Sequence, residues 1–194
     1  MKTFDYDYRY LQAGLEVLVD YLLSGESFWP IDVHPPEGEP EYPQLTLGGL
    51  LLSRARLTGY RKTPALMDQV TELFSEMDRI HAKWRVAWEK KAGHSFSVRL
   101  RMWRDFIDEY RNAPQDNADR YPYEVRLRTM LSLLKSEGGP QLPAEEDLLT
   151  VLDAYIKPVL STGGFIWETE VQAGFPKEVF WYLYGKLPTV LRKN

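Results

Sequence analysis

The sequence predicts an all-α fold, a bundle of about six to seven helices with a long proline-rich acidic loop after the first. Three observations carry this. Apolar residues recur at alternating steps of three and four along most of the 194 residues. Glycine and proline punctuate that pattern at helix-sized intervals, and no repeat of about 20 to 50 residues suggests a solenoid. Hydrophobic residues make up 44% of the chain, with six Trp and twelve Tyr, enough apolar surface for a sizeable core.

The first helix is marked by Tyr8, Leu11, Leu15, Leu18 and Leu22 on one face, with Ser24 and Gly25 as the stop. The stretch from Trp29 to Leu45, WPIDVHPPEGEPEYPQL, then holds five prolines and four acids. It is poor in helix and longer than the usual connection of about 4 to 6 residues. Its sequence reads as a semi-stiff connector pinned by Trp29 and Leu45, and Pro40 to Pro43 has the form of a PxxP peptide ligand. A second helix is expected from Thr46 to Thr58, with Gly48 and Gly49 allowing a neighbouring backbone to approach.

Thr63 and Pro64 open a long third helix carrying Leu66, Val70, Leu73, Met77, Ile80, Trp84 and Ala87, with Gly93 marking its end. Phe96, Leu100, Trp103, Ile107 and Tyr110 define a fourth, closed by Asn112 to Pro114. A fifth starts near Pro122 and stops at Gly138 to Pro140. A sixth follows Pro143, with Glu145 and Glu146 suited to its positive N-terminal end and Pro158 kinking or ending it. FIWETEV, from Phe165 to Val171, has no partner strand and is expected to be irregular, and a last helix is expected from Pro176. Residues 1–194 are expected to form one helical domain, with a loose subdivision near 113–121.

The formal net charge of −4 conceals an asymmetry. Residues 1–53 hold nine acids against Lys2 and Arg9, whereas segments 54–62 and 83–104 are strongly basic and the second carries Trp84, Trp88 and Trp103. Such segments can attract phosphate backbones and stack bases. Solvated helix faces with Arg101–Asp105 and Arg104–Asp108 pairs explain them more simply. The acidic loop is a third possible partner for the basic residues, within the same chain.

Catalytic signals are sparse. There is no cysteine, which excludes disulfides, thiolate zinc sites and a cysteine nucleophile and fits a reducing, cytoplasmic setting. The N-terminal stretch has no apolar run suited to a signal peptide, no segment approaches the roughly 20 apolar residues of a membrane span, and no membrane partner is expected. Asp78 and His81 are spaced to face one ion from one helical turn, but His81 flanks an apolar stripe. His34 and His94 are expected in loops and no Glu-x-x-His motif is present, so no metal or other cofactor is expected. Glu168 and Glu170 flank an aromatic-rich segment beside Trp167 and are the best candidates for an acid and base, in an enzyme of unspecified class. With neither a nucleophile elbow nor a phosphate loop, no catalytic residue is assigned.

The leading expectation is a protein that acts through protein contacts or self-association, using aromatics outside the stripes. Nucleic acid or another polyanion ranks second, through the basic segments. The candidate binding residues are Trp29, His34, Tyr42, Arg99, Arg101, Arg104, Trp167, Glu168 and Glu170.

Overall fold

A computed structural model describes residues 3–138 and 142–190. It contains seven α-helices among the described residues: α1 (Phe4–Leu23), α2 (Leu47–Gly59), α3 (Pro64–Lys83), α4 (Arg85–Asn112), the short α5 (Pro114–Asn117), α6 (Tyr121–Lys135) and α7 (Pro143–Val159). The fold is all-α. No described helix is long and apolar enough to cross a membrane.

Local chemistry explains the first two helix starts. The Thr3 hydroxyl accepts from the Tyr6 N–H at 3.2 Å and the Thr46 hydroxyl from the Gly49 N–H at 3.0 Å, each satisfying an otherwise orphaned donor. Thr63 precedes α3 without a side-chain cap, and Pro64 sets the helical φ instead. Pro158 lies in the last turn of α7, just before the helix ends at Val159.

Two boundaries differ from expectation. Gly93 does not end a helix: it is buried inside the 28-residue α4, which absorbs both the end of the expected third helix and the whole fourth. The break comes earlier, at Trp84, whose φ of −114° and ψ of 31° turn the chain. Backbone bonding runs through it, from Trp84 N–H to Ile80 O and from Trp88 N–H to Trp84 O, both at 2.9 Å. Nothing in the local residue types marks a bend whose bonding is intact.

The second difference lies after Pro176, where no α-helix forms. The C-terminal segment is built of 3-10 turns at Thr169–Gly174 and Trp181–Leu183, with Ser161–Thr162 pairing antiparallel to Gly185–Lys186. Its aromatics pack on one another, Phe175 against Trp167 at 5.3 Å and against Phe180 at 5.2 Å, and this packing replaces helical periodicity. The stretch 165–171 is irregular apart from its turn.

Buried residues from α1, α2, α4, α6, α7 and the C-terminal segment share one apolar cluster, with Trp88, Trp103, Tyr21, Tyr110, Tyr121 and Tyr182 as its largest fully enclosed side chains. The C-terminal segment reaches α2 at backbone contact. A Cβ on Gly174 would lie 2.1 Å from Ala55 O, and one on Gly59 would lie 2.4 Å from Val171 O. This close approach brings Glu168, just before the turn, against α2.

Candidate functional site

Four helices turn polar side chains toward one cavity of about 430 Å³, within the range of small-molecule sites. Helix α1 contributes Tyr6, Asp7 and Tyr10; α2 contributes Gly49, Ser53 and Arg56; α4 contributes Arg99 and Met102; α6 contributes Tyr123, Arg126 and Met130. The sets from α2, α4 and α6 are spaced at steps of three or four, and on α1 Tyr6 and Asp7 stand four and three before Tyr10, so each set lies on one helix face. Phe28, just before the connector, Pro40, Glu41, Pro43 and Gln44 within it, and Thr46 and Leu52 also line the cavity.

The connector is held over this space at both ends. Trp29 and Leu45 exchange backbone hydrogen bonds of 3.0 and 2.7 Å, an isolated antiparallel bridge that closes the loop. Tyrosines then tie the loop to α1: Tyr10 donates to Gln44 O at 3.3 Å, Tyr6 to Glu41 O at 3.4 Å, and Tyr42 back to Tyr6 O at 3.1 Å. Gly49 makes room for this arrangement, since a Cβ there would lie 2.7 Å from the Tyr10 hydroxyl. The neighbour admitted at Gly49 is thus a side chain rather than a backbone. Burial pushes the Tyr42 phenol up to about 12 and raises Tyr6 and Tyr10 further, so all three are neutral donors at ordinary pH.

Charge in and around the cavity divides into a neutralised and an unneutralised part. Arg56, 4% exposed, donates to Asp7 Oδ2 at 2.7 Å and to Glu168 Oε2 at 3.0 Å. Burial alone would lower its pKa, but the two carboxylates outweigh burial and raise it. Arg99 is 5% exposed yet makes no hydrogen bond or ion pair with any described residue; its guanidinium lies over the Phe28 ring at 5.3 Å. Burial lowers its pKa, and the like charge of Arg126 adds to this. Arg126 lies over Tyr123 at 4.0 Å, and its buried Nε has no hydrogen-bond partner.

The other buried cations show how unusual Arg99 is. Arg128 makes two bonds to Asp153, at 2.7 and 2.6 Å, and one to Ser132 at 2.7 Å. Lys91 donates to Ser24 O and Glu26 O, both at 2.9 Å, and so pins the end of α1 and the start of the connector to α4. Among the buried cations described, only Arg99 is left without such partners.

The residues expected from sequence are scattered by the fold. Arg99 and Tyr42 meet at this cavity region, Arg99 as a wall and Tyr42 behind Tyr6 and Tyr10 at ring distances of 4.5 and 5.6 Å. Glu168 reaches it indirectly through Arg56. Arg101 is exposed, and Arg104 pairs with its neighbour Asp105 at 2.8 Å rather than with Asp108. Glu170 is exposed on the 3-10 turn, and Trp167 donates to Pro122 O at 2.8 Å. Glu168 and Glu170 therefore do not face one another as an acid and base. His34 is exposed in the connector, and Trp29 is half-buried against Tyr21.

Tryptophans of the basic segment do not form a stacking surface. Trp88 and Trp103 are each 1% exposed, and Trp88 donates to Glu137 at 2.8 Å. Among the described residues no ion pair joins a carboxylate of the acidic connector to a basic residue; Glu41 shares the cavity wall with Arg99 and Arg126.

Other chemical groupings are weaker. Ser27 Oγ lies 2.7 Å from His94 Nε2, but no carboxylate orients that imidazole among the described residues, and the pair joins the connector to α4. His81 stacks on Trp88 at 4.5 Å, with Nδ1 3.9 Å from Glu137. Among the described residues no three metal-ligating side chains gather.

Tyr6, Asp7, Tyr10, Arg56, Tyr123 and Arg126 escaped the sequence reading. A signal existed for one of them: Asp7 stands four before Leu11 on the α1 stripe, just as Arg99, itself a candidate from sequence, stands three after Phe96 and four before Trp103. A charged residue on an apolar stripe is a buried charge in waiting. No protein-family model, curated protein or solved structure matches the chain, so its function is read from the chemistry of this cavity.

Proposed function

We propose that this protein works by binding a small molecule with an apolar or aromatic body in the cavity beneath the proline-rich connector. One observation carries this reading: the exposed apolar side chains Phe28, Met102 and Tyr123 ring a cavity whose inner wall is polar and buried. Their exposures are 41%, 39% and 63%. An apolar rim around a few fixed polar groups is how ligand sites combine affinity with orientation. Burying a ring on such a rim contributes about 25 cal/mol for each Å² removed from water.

This reading places recognition in the cavity rather than on a broad protein-contact face, and it asks no bond-making step of the residues present. Arg101 and Arg104 do not line the cavity and have no part in it. The test is a titration of the isotopically labelled protein with uncharged aromatic probes, indole-3-acetamide and benzamide, followed by amide chemical shifts. Shifts confined to the residues lining the cavity support the proposal. Shifts scattered over the surface, or none at millimolar probe, refute it.

A further inference from the structure

We infer that Arg99 and Arg126 form an oxyanion subsite within this cavity, receiving a carboxylate or phosphate carried by the ligand. The inference rests on the cavity being the ligand site and names the chemistry of one end of its occupant.

The argument starts from what the fold does with its other buried cations. Arg56, Lys91 and Arg128 each have two or more oxygen partners. A buried guanidinium left without them costs several kcal/mol of desolvation, so a chain that satisfies three and leaves a fourth bare has kept that fourth for something outside itself. Arg99 is that fourth, and it lines the cavity. Arg126 lines the same cavity with its Nε buried and unbonded, and no described ion pair joins either guanidinium to Glu41, the carboxylate that the connector brings to this wall. Asp7 cannot serve, because it is engaged with Arg56.

Geometry adds the orientation. Phe28 flanks one guanidinium and Tyr123 the other, at 5.3 and 4.0 Å from ring centroid to Cζ. Each guanidinium lies over a ring that gives it a cation–π contact but no hydrogen-bond acceptor, so its N–H groups are left for an oxyanion to meet, which suits the paired oxygens of carboxylate and phosphate. The aromatic body of the ligand then lies toward Met102 and Tyr123 at the rim.

The experiment compares matched probes on the full chain: indole-3-acetate against indole-3-acetamide, and phenyl phosphate against phenol. Affinities come from calorimetry, and the side-chain Nε–Hε signals of Arg99 and Arg126, identified from Arg99→Met and Arg126→Met, report contact directly. The charged member of each pair is expected to bind about ten- to a hundredfold more tightly than its neutral partner, the range for hydrogen bonds to charged groups. It should also shift both Nε–Hε signals, and either Met variant should remove most of the advantage. Arg99→Lys, which keeps the charge and loses the fork, should retain part of it. The carboxylate and phosphate arms identify which oxyanion the two cations prefer.

Equal affinity for charged and neutral members, with cavity signals still shifting, overturns the subsite and leaves the cavity reading standing. Loss of all binding at the cavity by every probe overturns both. An advantage that survives in Arg99→Met and Arg126→Met places the anion elsewhere and also overturns the subsite.

Discussion

Replacing Arg99 with methionine should make the protein more stable. The side chain is 5% exposed, has a second guanidinium rather than a carboxylate for a charged neighbour, and makes no hydrogen bond to a described residue. Burying a charge costs several kcal/mol even after relaxation. Contact with Phe28 returns about 0.5 to 2 kcal/mol, and water in the cavity returns part of the remainder. Methionine keeps the apolar stem and drops the charge, so the net gain should be about 1 to 3 kcal/mol. At about 2 to 4 °C per kcal/mol for a chain of this size, Tm should rise by roughly 2 to 12 °C.

The sign of the pH dependence is also determined. Arg99 is a base whose folded pKa is lowered, so the unfolded state binds its proton more tightly and the penalty is full at every pH below the folded value. A guanidinium keeps its proton at every ordinary pH, so the gain should be constant from about pH 5 to 9. Urea denaturation of both proteins across that range measures it, with the exposed Arg101→Met as a control expected within about 0.5 kcal/mol of the parent. A loss of more than about 1 kcal/mol in Arg99→Met would refute the reasoning, because it would mean the guanidinium is satisfied in the folded protein.

Asp7→Ala should act in the opposite direction, lowering stability by about 3 to 5 kcal/mol in the same denaturation assay, because it removes a bonded partner from the buried Arg56. Glu168→Gln should cost less, since Asp7 remains. Gly174→Ala should destabilise by about 1 to 3 kcal/mol or more, as its Cβ would collide with the Ala55 carbonyl; an unchanged Tm would show that the segment can move off α2. Burial raises the folded pKa values of Tyr6, Tyr10, Tyr21, Tyr42 and Tyr60. Their stabilisation is therefore complete below the unfolded value of about 10 and is lost as pH rises toward the folded values. Tyrosinate absorbance should appear together with loss of helical circular dichroism above about pH 10; a smooth native titration preceding unfolding would contradict this.

Helical class was legible because periodicity is a local property. Thr46, the apolar stripe of α1 and the proline at the start of α7 carry their instructions within a few residues. Gly93 misled because α4 runs through it, and one glycine in a long helix costs only about 1 kcal/mol relative to alanine. The aromatic segment after Pro176 misled for a related reason: its residues satisfy one another at ring distances of 5 to 6 Å, outweighing a helical spacing of Val179, Phe180 and Leu183. Trp29 and Leu45 could be picked out as the ends of the connector, being the large apolar residues that bound its prolines.

Sequence by itself determined the all-α class, the absence of cysteine chemistry and the acidic connector, since each depends on residues adjacent in the chain or on composition alone. Tertiary structure decided which charges are neutralised. Asp7, Arg56 and Glu168 are separated by 49 and 112 positions and meet at 2.7 and 3.0 Å. Arg99 and Arg101 are two positions apart on one helix, which turns them about 200° from each other, so one enters the cavity and the other faces solvent. Burial and the company of other charges are properties of position in space, and they separate the solvent-facing Arg101 from the buried Arg99 in the cavity wall.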